Sequence, residues 1–204
     1  FENINIDLMF GFENQSIAQC LDDVRQAISL NPAHISFYQL TVEPNTWFAK
    51  YPPKILQEDA WEMQTQGQLL LEKSGFSQYE VSAFSQRAAK HNLNYWNFGD
   101  YLGIGAGAHG KITMDNSIMR TLKSKSPQDF IGNNQHKISK VEKPSFEFML
   151  NALRLKQGFS LDLFEKRIGQ PIEIISNQLD KAQDLDLIEL DNQWLRPSKR
   201  GFDF

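Results

Sequence analysis

Aromatic side chains lead directly into a glycine-rich turn between residues 91 and 110. Four glycines fall within eight residues, at positions 103, 105, 107 and 110. Glycine at this density removes side chains where the backbone must approach another group closely or adopt a positive φ. An ordinary core segment needs no such turn, so the pattern predicts a specialised loop. It lacks the GK[ST] ending of a phosphate-binding loop.

Strand and helix patterns alternate through the first 84 residues. Residues 3–10 alternate as in a half-buried strand, with Ile4, Ile6, Leu8 and Phe10 on one face and Asn3, Asn5, Asp7 and Met9 on the other. Ser16 with Gln19 predicts a capping box before a helix. A strand over 34–43, a helix over 58–74 and a strand over 78–84 follow. This β-α-β-α-β order predicts an α/β fold with a parallel sheet and helices outside it, with too few strands to close a barrel.

Each of these strands carries polar residues on one face, where a barrel interior is normally branched and apolar. They are Asn5 and Asp7, then Gln39, Thr41 and Glu43, then Glu80 and Ser82. Burial without partners would cost a few kcal/mol for each group. The pattern therefore predicts a ligand cavity at the carboxyl ends of the strands, or alternatively the solvated face of an open sheet.

A second unit begins near Pro144. Helical patterns over 146–156, 161–168 and 172–185 precede a hairpin with an Asp-Asn turn, which predicts a winged-helix-like domain that is mainly α. Such domains often bind DNA, but residues 144–204 hold eight Lys/Arg against ten Asp/Glu and lack the basic excess of a DNA reader. A lid or partner-docking role, without nucleic acid, is the better prediction.

Four motifs in one collinear order carry a family resemblance. They are NIDLMFG at 5–11, YQLTVEPNT at 38–46, YEVSAF at 79–84 and the HNxxYW pattern at 91–96. Together they resemble the HemW-like heme chaperones and the oxygen-independent coproporphyrinogen III oxidases, which are radical S-adenosylmethionine proteins. HNxxYW resembles the chaperone branch more than the oxidase. The resemblance implies that residues 1–143 are the C-terminal part of a partial (β/α)₆ barrel and that 144–204 are the family's C-terminal winged-helix-like domain.

The family's CxxxCxxC loop, which holds a [4Fe–4S] cluster, is absent. Cys20 is the only cysteine, and one thiol cannot ligate a cluster. We therefore interpret the chain as a C-terminal fragment whose cluster ligands lie outside it, and which is inactive in radical chemistry alone. A shortened homologue without radical chemistry is the alternative.

The resemblance also assigns residues to S-adenosylmethionine. Asp7 matches a strand aspartate that contacts this ligand, Thr41 a backbone contact to the adenosyl region, and His109 a position that approaches the nucleoside. Asp7 could instead be a structural carboxylate at a strand end, and His109 a packed histidine.

His91 is the candidate heme ligand. Neutral imidazole is the commonest proximal ligand of heme iron, and Tyr95 and Trp96 could stack on a porphyrin or wall off its edge. Alternatively, residues 91–96 (HNLNYW) have a structural role and hold the loop after the third strand in place.

Two functions follow from the resemblance: delivery of heme to apo-hemoproteins, or oxidative decarboxylation of coproporphyrinogen III. Both imply S-adenosylmethionine and a cluster, and the first adds heme. A single cysteine fits a reducing compartment, so the prediction is a cytoplasmic protein without a membrane span. With no strands preceding it, the sheet should expose an unpaired edge that favours self-association.

Overall fold

The computed structural model describes residues 3–54, 57–114, 117–133 and 136–203. The chain divides into two compact units, Phe1–Ala89 and Lys90–Phe204. Both combine helices and strands, so the predicted α/β class is confirmed, while the barrel assignment stays a prediction. None of the helices in the described ranges is long and apolar enough to cross a membrane.

The first unit holds four strands and three helices within the described ranges. In chain order these are β1 (Asn5–Phe10), α1 (Ile17–Ser29), β2 (His34–Gln39), α2 (Trp47–Lys50), α3 (Gln57–Lys73), β3 (Ser77–Glu80) and β4 (Ala83–Ser85). The strand order in the sheet is β1-β2-β4-β3, and β1 pairs with β2 in parallel as predicted.

The prediction of a single parallel strand over residues 78–84 was wrong. Residues 77–85 form the hairpin of β3 and β4, and β4 runs antiparallel to β2. The Glu80 carboxylate causes the break, because it accepts hydrogen bonds from the Ser82 backbone N–H at 3.2 Å and the Ser82 hydroxyl at 2.9 Å. This local turn reverses the chain before a long strand can form.

The core of the first unit lies between the sheet and helices α1 and α3. Val24, Ile35 and Leu71 are fully buried in it. The capping box predicted at the start of α1 is present, with Ser16 and Gln19 bonded reciprocally. Gly67 lets α3 approach the sheet closely, since a Cβ there would lie 2.5 Å from the Phe37 ring.

Within the described residues, β1 pairs on one side only and forms an edge of the sheet. Unpaired strand edges can template pairing with another chain. The predicted edge-to-edge self-association stays a prediction.

In its described residues, the second unit begins with helix α4 and contains two small antiparallel sheets. Its first part comprises α4 (Lys90–Trp96), β5 (His109–Met114), β6 (Ser117–Lys123), α5 (Pro127–Asn133) and β7 (His136–Lys140). The strands form a sheet in the order β5-β6-β7. The sequence patterns did not predict this sheet.

The helices and the hairpin predicted for the C-terminal part are present, although the helix predicted over 146–156 ends at Ala152; the winged-helix assignment itself stays a prediction. The C-terminal part comprises α6 (Pro144–Ala152), β8 (Phe159–Ser160), α7 (Leu161–Ile168), a 3₁₀ turn (Ile172–Ile175), α8 (Ser176–Asp184), β9 (Ile188–Leu190), β10 (Trp194–Pro197) and α9 (Lys199–Asp203). Strands β9 and β10 pair as the predicted hairpin, and β8 adds a third strand to the wing.

One hydrophobic core runs through the whole second unit. Phe148 is fully buried, and the rings of Phe98, Phe159 and Phe164 surround it at centroid distances of 5.9, 4.9 and 5.1 Å. Residues before 144 therefore share a core with the C-terminal helices. The division of the chain into two domains, 1–143 and 144–204, stays a prediction.

Candidate functional site

Two clusters of polar and aromatic side chains occupy the sites that the sequence singled out, one in each unit. The first covers the polar face of β1 and β2. Asp7 is exposed there, opposite Ser36 in register, and accepts a 2.8 Å hydrogen bond from the Asn5 side chain. The strict alternation read from the sequence thus places Asp7 on the predicted face.

His34 also lies on this face, and the sequence patterns did not single it out. It is buried, and its Nδ1 lies 2.6 Å from the Asn5 Oδ1 while its Nε2 lies 2.8 Å from the Tyr79 hydroxyl. Burial lowers the pKa of His34, and the charges of Glu80 and Asp7 act in the opposite direction. The register of β1 against β2, which puts His34 beside Asn5, is the signal that could have found it.

Thr41 lies outside the sheet. The predicted strand over 34–43 ends at Gln39, and Thr41 is exposed in the following loop with its hydroxyl 3.5 Å from the Gln39 carbonyl oxygen. The ladder stops where its partner β1 ends at Phe10, which is followed by Gly11 with a φ of 82°. The polar face of β2 is therefore formed by His34 and Ser36, and the predicted assignment of Gln39, Thr41 and Glu43 to that face was wrong.

In the second unit, three rings form a continuous row that begins at an exposed histidine. His91 on α4 contacts Tyr95 one turn later, with ring centroids 4.7 Å apart, and Tyr95 contacts Tyr101 at 4.3 Å. Burial raises the pKa of Tyr95, and the neighbouring Tyr101 adds to this, so the phenol stays protonated at neutral pH. We call His91, Tyr95 and Tyr101 the ring row.

Trp96 does not join the ring row. The guanidinium carbon of Arg154 lies 4.4 Å from the centroid of its indole ring. Adjacent helix positions point about 100° apart, so Tyr95 and Trp96 face different directions. Of the three residues predicted to meet heme, His91 and Tyr95 come together, and one face of Trp96 is occupied by Arg154.

The glycine-rich turn folds back along β5, which starts at His109. Tyr101 and Lys111 exchange two backbone hydrogen bonds of 2.9 Å. A Cβ at Gly103 would lie 2.2 Å from the His109 carbonyl oxygen, which explains the glycine there. The His109 side chain itself is exposed.

An ion pair between a buried lysine and a partly exposed aspartate lies next to this turn, and the sequence patterns missed it. Lys111 is only 2% exposed; its Nζ lies 2.8 Å from the Asp100 carboxylate and 4.2 Å from the centroid of the Phe98 ring. Burial lowers the pKa of Lys111, partly offset by Asp100. Burial alone would raise the pKa of Asp100, but hydrogen bonds from Lys111 and Thr113 outweigh this and hold it below its usual range.

Arg120 of β6 closes the site at the far end of the ring row. Its guanidinium pairs with the Glu147 carboxylate, and its Nη1 donates a 3.3 Å hydrogen bond to the Tyr101 hydroxyl. Burial tends to lower the pKa of Arg120, but Glu147 and Tyr101 raise it on balance, so the guanidinium is permanently charged.

Comparisons with known proteins show what this chain resembles. Residues 142–204 match the model of the HemN C-terminal domain. The chain is 44% identical over 202 residues to the heme chaperone HemW of Haemophilus influenzae. The match covers 95% of this chain and 52% of that protein. The chain is also 45% identical over 188 residues to HemW of Escherichia coli, a match that covers 88% of this chain and 50% of that protein. The chain thus spans about half the length of these relatives.

A solved structure shares the fold. Coproporphyrinogen III oxidase (HemN) from Escherichia coli, described as a radical SAM enzyme, superposes with a TM-score of 0.70 at 14% sequence identity. The match covers 97% of this chain and 51% of that one. Together with the motifs, these similarities confirm the predicted resemblance of the chain to the HemW-like and coproporphyrinogen III oxidase-like radical S-adenosylmethionine proteins.

Proposed function

We propose that this chain is part of a heme chaperone, a protein that binds heme and delivers it to apo-hemoproteins. The relatives with 44% and 45% identity are named heme chaperones, whereas the coproporphyrinogen III oxidase matches at 14% identity. Oxidative decarboxylation of coproporphyrinogen III is the alternative, and the HNxxYW pattern favours the chaperone. A cytoplasmic location is part of the proposal, supported by the single cysteine.

The ring row is the observation that carries this function. His91 presents an exposed imidazole, the commonest proximal ligand of heme iron, and Tyr95 lies against its ring. Edge-to-face contact with a tyrosine restrains the orientation of the imidazole plane. The site therefore offers an accessible imidazole whose ring orientation is restrained by Tyr95.

We also propose that Asp7 and Thr41 of the first unit contribute to a site for S-adenosylmethionine in the complete protein; the assignment of His109, in the second unit, to this ligand stays a prediction. All three side chains are exposed. The Asp7 carboxylate suits the ribose hydroxyls or the ammonium group of this ligand, because charge-assisted hydrogen bonds are stronger than neutral ones. The polar surroundings of Asp7, with Asn5 and Ser36, support this assignment.

This chain does not supply the ligands of a [4Fe–4S] cluster. Cys20 is its only cysteine and is 1% exposed, and burial raises the pKa of its thiol to about 11. A protonated thiol is a poor metal ligand. The described parts of the chain contain no group of three or more His, Cys, Asp or Glu residues that could hold a metal ion.

A hemin titration of the complete protein tests the heme site. We expect His91→Gln to weaken hemin binding at least about tenfold and to shift the Soret band, because glutamine is a poor ligand of iron. Iron-free protoporphyrin should bind both proteins equally, since it takes no axial ligand. The matched control is His136→Gln, which alters another exposed histidine of the same unit. Unchanged hemin affinity and spectrum in His91→Gln, with an intact fold, would contradict the proposed ligand.

A further inference from the structure

Heme carries two propionate carboxylates, so a protein that binds it by one imidazole still needs a partner for an anion. The ring row leads to such a partner. Tyr101, its last member, accepts a hydrogen bond from Arg120 Nη1 at 3.3 Å. The row thus connects an exposed imidazole at one end to a guanidinium at the other.

The charges around Tyr101 leave a local excess of positive charge. Three cations lie close together here: Lys111 itself, and Arg120 and Arg167, whose charges both lower the pKa of Lys111. They face two carboxylates, those of Asp100 and Glu147, through the pairs Lys111–Asp100 and Arg120–Glu147. An incoming carboxylate would bring the cluster to neutrality.

Of the two cations held in ion pairs, Arg120 is the one that a ligand can reach, and it still has donors. Its side chain is 36% exposed, whereas that of Lys111 is 2% exposed. A guanidinium has five N–H donors in one plane. The hydrogen bonds with the described residues use its Nε and one donor on each terminal nitrogen, which leaves two for another acceptor.

Apolar surface adjoins Tyr101 as well. The next residues of the glycine-rich turn expose Leu102 at 76% and Ile104 at 89%. Isolated exposed leucines are common, but two aliphatic side chains held out on a turn of glycines are costly to leave in water. A porphyrin edge is apolar, so contact with it would remove this cost.

We propose that Arg120, held in place by Glu147 and Tyr101, binds a propionate carboxylate of the heme whose iron His91 ligates. This inference rests on the proposed function and adds to it the residue that recognises the anionic edge of the porphyrin. Planar guanidinium–carboxylate pairing also fixes orientation, so Arg120 determines which edge of the heme faces the second unit.

The test compares hemin with hemin dimethyl ester, in which both carboxylates are esterified and uncharged. The complete wild-type protein should bind hemin about tenfold more tightly than the ester. Arg120→Gln should weaken hemin binding by about the same factor and leave the affinity for the ester unchanged. The matched control is Arg196→Gln, which breaks another arginine–glutamate pair of the same unit, that with Glu189, and should change neither affinity.

Glu147→Gln supplies an opposite variant that keeps the arginine. It removes the competing carboxylate, so hemin should bind as tightly as in the wild type or more tightly. Equal binding of hemin and ester by the wild type, or equal weakening of both by Arg120→Gln, overturns the Arg120 assignment and leaves His91 in place. If the wild type binds no hemin at all, the proposed function fails together with this inference.

Discussion

Lys111 shows how a single residue can depend on partners that no local pattern reveals. Its ammonium is buried beside the Asp100 carboxylate, which lies eleven residues earlier in the chain, and the Phe98 ring. A lysine in an alternating strand would normally face solvent. By contrast, the position of Asp7 on the polar face of β1 could be predicted, because strand alternation alone determines it.

Removing Asp100 should destabilise the second unit. Breaking a fully buried pair costs about 3–5 kcal/mol, because the remaining charge stays buried and unpaired. The Asp100 side chain is 39% exposed, so for Asp100→Ala we expect about 2–3 kcal/mol in the free energy of unfolding, measured with urea. As a control, Glu189→Ala removes half of the exposed pair with Arg196 and should cost about 0–1 kcal/mol.

The double variant Asp100→Ala with Lys111→Met should recover part of this loss, since it removes the unpaired charge. The sign of the pH dependence follows from the lowered pKa of Asp100. Its stabilising contribution is present above the unfolded-state pKa and is lost as pH falls through the folded-state pKa. The difference between wild type and Asp100→Ala should therefore shrink in acid. A single variant as stable as the wild type, or a double variant less stable than the single one, would contradict this account.

At the scale of elements, helices were easier to predict than strands. The capping box at Ser16 and the boundaries of α7 follow from local sequence, because capping and helical periodicity involve residues a few positions apart. The strand β7 has all five residues exposed and so shows no alternation to read. The hairpin of β3 and β4 depends on a side-chain turn at Glu80 that a strand pattern does not contain.

The glycine-rich turn was correctly expected to need close backbone approach, and one of its glycines allows a direct test. Gly103→Ala would place a Cβ 2.2 Å from a backbone carbonyl that cannot move independently of β5. We expect a loss of about 1–3 kcal/mol in the free energy of unfolding, the usual range for overpacking. Thermal or urea unfolding with circular dichroism measures it.

Gly132→Ala is the control for this substitution. Gly132 lies in α5 without a positive φ, and no described atom lies within 4 Å of the position that an alanine Cβ would take. Alanine there should be neutral or stabilise by up to about 1 kcal/mol. Equal effects of the two substitutions would mean that the turn does not pack against β5 as described.

At the scale of the whole molecule, the order of elements could be predicted in part and the extent of the packing units could not. The sequence predicted that a second domain begins near residue 144, and the match to the HemN C-terminal domain begins at residue 142. Packing instead joins residues 90–143 to the C-terminal helices, because Phe98, Ile118 and Val141 belong to the same core as Phe148. Core sharing of this kind involves contacts across long sequence separations, which single-sequence patterns do not encode.

This packing has a consequence for the proposed function. Phe98, between Tyr95 and Tyr101 in the chain, and Phe148, next to Glu147, belong to one core, so heme contacts in the second unit would lie on packed elements. Sites held on packed elements keep their geometry better than sites on loops alone.

The measurement that tests the central claim most directly is heme transfer by the complete protein. Hemin-loaded protein is mixed with a heme-free acceptor, apomyoglobin, and the acceptor's Soret band is followed over time, while a parallel sample with reconstituted cluster, S-adenosylmethionine and coproporphyrinogen III is assayed for decarboxylation. We predict stoichiometric binding of hemin, transfer to the acceptor, and no decarboxylated product. Decarboxylation without retention of hemin would contradict the account and establish the oxidase alternative.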